Sequence, residues 1–224
     1  MHSMKIQHAL AALAALTALP IAAQTADKAT YEVTFTPAWS AKSHPLEYPE
    51  AGVLTGPHFS GVIGATHSKG YEVFTVGRAP TPGLERLSEM GKHDPLDAEI
   101  KAAIAKGTAG ALFETDAIKD LTKPVKFTVT VDSKHPLVSA VAMIAPSPDW
   151  FAGVANVNLN EGGSWVGSKK LEVFAYDSGG DDGATYKAPD KDTNPKKATS
   201  EANTAHFVIK GQRVPVAKIT FTRK

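Results

Sequence analysis

Eight short runs of alternating or apolar residues recur along the chain, with no helix set regularly between them. They are YEVTFT (31–36), YEVFTV (71–76), VKFTVTV (125–131), LVSAVAMIA (137–145), GVANVNL (153–159), KLEVFAY (170–176), AHFVIKG (205–211) and VAKITFT (216–222). Alternation puts one face of a strand in the core and the other in water, the habit of antiparallel sheets. Parallel sheets need a crossover helix after each strand, and that rhythm is missing. Two segments read as helices, PGLERLSEMGK (82–92) and PLDAEIKAAIAKG (95–107), each with Pro near its start and Gly at its end. The expectation is an all-β, C2-like antiparallel β-sandwich of about eight strands with one or two short helices. Residues 37–64 and 187–204 are rich in Pro, Gly and polar residues and read as irregular chain.

Residues 28–224 suffice for one domain with its own core, and the chain contains no cysteine to staple it. The net charge of +1 and the lack of a basic stripe point away from nucleic acid. Residues 1–23 hold Lys5 in a short polar start, then an apolar run ending in Ala22 and Ala23. This reads as a secretory signal peptide. A membrane anchor is the alternative, but Pro20 and Gln24 cut the run short of the ~20 apolar residues a span needs. The expected address is exported, periplasmic or extracellular.

Two loops carry the chemistry. PSPDW (146–150) follows the fourth run, and DSGGDDG (177–183) follows the sixth. One strand separates those two runs, so in an antiparallel meander both loops leave at the same end. Asp149 then lies near Asp177 and Asp181. Asp132, which ends the third run, falls at the opposite end. Clustered carboxylates repel, and calcium, which takes six to eight oxygens, is their usual companion. Gly179, Gly180 and Gly183 would let the loop curl so that carbonyls point inward. On spacing alone, the second loop reads at least as readily as a plain turn.

PSPDWFAGVANVNL, HPLVSAVAMIAPSPDW and YDSGGDDGATYKAP resemble the spondin domain family, the N-terminal domain type of F-spondin and mindin. HFSGVIGATHSKGYEVF and GRAPTPGLERLSEMG are similar to that family's first half, and the resemblance runs from about Tyr31 to Pro189. It implies a β-sandwich similar to C2 domains. It also implies a calcium site built from one Asp of the first loop and two of an Asp-x-x-x-Asp-x-Gly loop. Carried onto this sequence, those ligands are Asp149, Asp177 and Asp181. Asp182 sits where the family varies and ranks below them. The family's cysteines are missing here.

His44, His58 and His67 share the first half with Ser60. They fit no zinc spacing and show no nucleophile elbow, so hydrogen-bonding roles are expected. Trp39, Trp150 and Trp165 read as packing residues. Trp150 and Phe151, beside Asp149, are the pair that would touch a membrane or a sugar if exposed. No lysine-rich rim supports membrane contact. The expected function is an exported, non-enzymatic, calcium-binding adhesion or recognition module for an unidentified protein or glycan. The alternative is a periplasmic hydrolase or carbohydrate-acting accessory protein using the His-rich first half.

Overall fold

The computed structural model describes residues 27–50 and 56–224. The expected signal peptide, residues 1–23, lies outside them. Eight strands of five or more residues run through the described chain. They are β1 (Lys28–Pro37), β2 (Ile63–His67), β3 (Ala109–Glu114), β4 (Val125–Asp132), β5 (Leu137–Ala145), β6 (Trp150–Asn158), β7 (Ser168–Asp177) and β8 (Ala217–Arg223). Every pairing is antiparallel, and the order across the sheet is β3-β2-β5-β6-β7-β8-β1-β4. The sheet curls until its two ends approach. There Phe113 of β3 and Phe127 of β4 stack with ring centroids 5.5 Å apart. The result is all-β and nearly barrel-shaped, its two halves facing each other across one core.

That core holds Tyr31, Val33, Phe35, Phe59, Val138, Ala140, Ile144, Val173, Ile219 and Phe221. A second, smaller core lies outside the sheet, under α1 (Pro82–Met90) and α2 (Leu96–Ala105). Leu84, Leu87, Leu96 and Ile100 there meet Ile63, Ala65, Val141 and Phe151. β5 separates the two cores, which is why LVSAVAMIA is buried throughout rather than at alternate residues. Val138, Ala140, Ala142 and Ile144 face the inner core, and Val141 faces the helices.

Three local readings differ from the sequence expectation. YEVFTV (71–76) forms no strand, because Val73 and Phe74 are drawn under the helices instead of into a ladder. Of AHFVIKG, only Val208–Ile209 pairs, in a small hairpin with Gln212–Arg213. β2 and β3 arise from segments that carried no strand pattern. β2 is buried throughout, and a Cβ on Gly64 would stand 2.5 Å from the Phe113 ring, so the glycine permits the close approach. GVANVNL alternates weakly because the ladder shifts register opposite Ser139. There Asn156 takes φ 56° and its freed amide donates to Ser139 Oγ at 2.9 Å.

α1 is well specified. Thr81 caps it by accepting from the Leu84 amide, Pro82 opens it, and Gly91 ends it at φ 65°. Its apolar residues Leu84 and Leu87 pack on β5 and β6, placing the opposite flank beside the loop after β7.

Candidate metal centre

β5 ends at Ala145, and the chain turns through residues 146–149 into β6. The Ser147 hydroxyl accepts from the Trp150 amide at 3.1 Å and tightens that turn. β7 ends at Asp177, which lies opposite Trp150 in the β6–β7 register. Pairing therefore sets Asp149 against the first residues after β7. The Ser178 amide continues the ladder by donating to the Asp149 carbonyl at 3.2 Å.

The second loop then wraps the Asp149 carboxylate. Oδ2 accepts from Ser178 Oγ and from the amides of Gly179 and Gly180, each at 2.9 Å, and from the Asp181 amide at 3.2 Å. Three successive amides converging on one oxygen make an anion nest. Gly179 makes it possible: its φ is +86°, and a Cβ there would stand 2.4 Å from the Lys197 carbonyl. Asp149 is fully buried, and Oδ1 has no hydrogen-bond partner among the described residues. Burial pushes its carboxyl up, against the pull of the nest.

Asp177 Oδ1 accepts from the same Gly179 amide at 3.0 Å, so one N–H joins the two carboxylates. Burial, and next the Asp149 charge, push the Asp177 carboxyl up to about 6. Asp181 is turned another way. Its oxygens accept from the amides of Gly183 and Lys191, stapling the loop from 183 to 191. Asp182 pairs with Lys197 and stands 3.8 Å from Lys191 Nζ. Asp132 caps the far turn, accepting from the amides of Lys134 at 2.9 Å and His135 at 2.8 Å. It precedes β5 and sits at the end opposite Asp149.

Among the described residues, Asp149, Asp177 and Asp181 do not gather within 4.8 Å. The three carboxylates that do are Glu85, Glu89 and Asp192. Glu85 and Glu89 stand one turn apart on α1, where like charges repel. That i, i+4 spacing was the sequence signal for them. The donors around Asp149 and Asp177 fit a calcium ion. They are all oxygens, two carboxylates share an amide, and one buried oxygen lacks any donor. Asp181 would join only by releasing two amides.

The histidines are occupied elsewhere. His44 is buried, with Nδ1 2.9 Å from Ser43 Oγ and Nε2 3.3 Å from the Val214 carbonyl. His58 Nδ1 lies 2.9 Å from the Gly56 carbonyl. His67 is buried between the Ser68 carbonyl and Ser139 Oγ, both at 2.8 Å. Ser60 Oγ donates to the Gly61 carbonyl and accepts the Met143 amide. Trp150 and Phe151 are also buried and form no surface aromatic pair. Trp150 packs edge-on to Tyr186 and Phe207, while Phe151 stacks on Tyr176. A groove of about 430 Å³ opens beside the helices, lined by Lys69, Tyr71, Glu72, Arg78, Thr81 and Thr199 among others.

The Spondin_N family profile matches residues 29–208, past the point where the sequence resemblance had faded. Spondin-2 of Rattus norvegicus is 33% identical over 206 residues, covering 87% of this chain and 62% of its own length. Spondin-2 of Homo sapiens is 32% identical, covering 87% of this chain and 61% of its own. Spondin-1 of Rattus norvegicus is 29% identical over 174 residues, covering 75% of this chain and 21% of its own. The chain thus spans about three fifths of these Spondin-2 relatives and about a fifth of Spondin-1.

Proposed function

The chain belongs to the Spondin_N family, and we propose that it is an exported, non-enzymatic recognition or adhesion module whose second aspartate loop is held by calcium. The observation that carries the calcium reading is the buried, partnerless Oδ1 of Asp149 beside the shared Gly179 amide. Asp149 and Asp177 would hold the ion, and Asp181 would follow if it left its amides. Bound calcium would supply the positive charge that the two carboxylates lack. The nest already orients Asp149, so little reorganisation is needed. In C2-like folds such loops sit at one end of the strands, where a ligand can reach them.

The 430 Å³ groove supports the recognition half of this reading. Thr199 lines it and links it to the loop. Its amide donates to the Arg78 carbonyl at 2.7 Å, and its hydroxyl donates to the Ser178 carbonyl at 3.0 Å. Ser178 in turn donates to Asp149. Ordering the loop would therefore stiffen one wall of the groove. No hydrolytic role is proposed for the first half, since Ser60 is spent on backbone groups and His67 is buried.

Thermal melts in calcium, magnesium and chelator test the proposal. Extracellular modules bind calcium with Kd on the order of 10⁻⁴ to 10⁻³ M. At tenfold excess over Kd, the stabilisation is about 1.4 kcal/mol. For this size, Tm should rise by about 3–6 °C. Asp177→Asn should remove most of that rise, and Asp132→Asn should leave it intact. Magnesium, which keeps its waters and demands an octahedron, should do less. Identical wild-type melts in calcium and chelator would sink the calcium reading.

A further inference from the structure

Lys196 leaves one carboxylate out. Its Nζ lies 2.8 Å from Glu85 Oε1, pairs with Asp192, and is 3.3 Å from the Gly180 carbonyl. Partial burial works against its charge, but bonds to Asp192 and Glu85 prevail and hold its pKa above the ordinary value. One ammonium thus serves two of the three clustered carboxylates. Glu89 Oε1 is buried and has no hydrogen-bond partner among the described residues. Burial, then the Glu85 charge, push the Glu89 carboxyl up to about 7, and Asp149 adds to the push.

Asp149 supplies the matching anomaly. It is fully buried, and its Oδ1 is likewise without a partner. A single glycine stands between the two groups. The Gly180 amide donates to Asp149 Oδ2 at 2.9 Å, while a Cβ on Gly180 would sit 2.5 Å from Glu89 Oε1. Among the described residues, Glu89, Asp149 and Asp177 do not gather within 4.8 Å, but buried carboxylate oxygens without donors on both sides of Gly180 are costly unless a cation stands with them. Asp177 and Asp181 accept amides, and Asp182, Glu85 and Asp192 hold lysines.

We propose that Glu89 of α1 is a further ligand of the cation assigned above to Asp149 and Asp177, reaching it past Gly180. The inference rests on that reading and adds a donor from a distant element. One ion would then fasten α1 to both aspartate loops, with Lys196 closing the outer side of the acidic group.

Terbium, a luminescent stand-in for calcium, provides the test on the full chain. Luminescence lifetimes in H₂O and D₂O count the waters left on the ion, alongside calcium competition for affinity. Wild type, Glu89→Ala and Glu85→Gln are compared. If Glu89 is a ligand, Glu89→Ala weakens binding by about tenfold or more and adds about one water, because a lost ligand is replaced. Glu85→Gln should leave the water count unchanged. A Glu89→Ala protein with wild-type affinity and hydration overturns the inference while leaving the Asp149–Asp177 reading intact. So does weaker binding with no added water, which would mean that Glu89 acts only through its charge. If wild type binds no ion, both readings fall together. Hydrogen exchange of the wild type guards against misfolding of the variant. Calcium should slow exchange in α1 as well as in residues 178–183, and slowing confined to 178–183 counts against the proposal.

Discussion

Asp177 shows how one residue's environment becomes a stability term. In chelator its carboxyl sits near 6, above the ordinary carboxylate value of about 4. The folded protein therefore holds its proton over a range where the unfolded chain has lost it. No penalty exists below the unfolded pKa. It grows as pH rises from about 4 to 6, and it is complete above that. Buried His44 and His67, whose pKa values are lowered by burial, have the opposite sense: they cost stability as pH falls. The clean measurement is thus the difference between Asp177→Asn and wild type. In chelator, the variant should gain about 1–2 kcal/mol relative to wild type between about pH 4.5 and 7.5 after allowance for solvent screening. That is roughly 2–8 °C in the Tm difference. A difference that does not change with pH would show that Asp177 titrates normally.

At the scale of elements, α1 decides more than its length suggests. It carries Glu85 and Glu89 and covers the outer core, yet it is held at its start by a small network. The Thr81 hydroxyl accepts the Leu84 amide and donates to Glu99 Oε2 at 2.7 Å, and Glu99 Oε1 accepts the Gly83 amide at 2.8 Å. The second helix thus helps to cap the first. Thr81→Ala should cost about 1 kcal/mol, read as a Tm lower by about 2–4 °C. Amide exchange in residues 82–90 should quicken before exchange in β5 does. An unchanged melt would mean that Glu99 alone suffices as the cap. YEVFTV teaches the converse lesson. Its alternation is real, but the space beside it is filled by helices, so its apolar residues pack without pairing.

For the whole molecule, near-closure of the sheet replaces the disulfides that the chain lacks. The end strands β3 and β4 approach each other, and the Phe113–Phe127 stack spans them. Stability then rests on two apolar cores that share β5. Export belongs to this scale too. If residues 1–23 are a signal peptide, the secreted protein should begin near Gln24, and its intact mass should fall short of 23.6 kDa by the mass of that segment. Finding the full-length mass outside the cell would refute cleavage.

The all-β class was legible in the sequence, because alternation has a period of two and each strand reports it within a few residues. The placement of Asp149 beside the loop after β7 was legible as well. The parity of antiparallel strands puts every second turn at the same end, and the Asp177–Trp150 register follows from it. Trp150 was harder. Its neighbours in sequence are turn residues, while its burial comes from Tyr186, His206 and Phe207, far along the chain. Asp181 could not be oriented from spacing, since the amides of Gly183 and Lys191 compete for its oxygens. Glu89 was invisible as a neighbour of Asp149. Helix periodicity says which face of α1 is apolar, but not which sheet face will bury it. Only the packing of Leu84 and Leu87 under α1 carries Glu89 to Gly180. Local patterns determine the strands and their ends; the meeting of a helix flank with a loop depends on contacts between residues that no local pattern links.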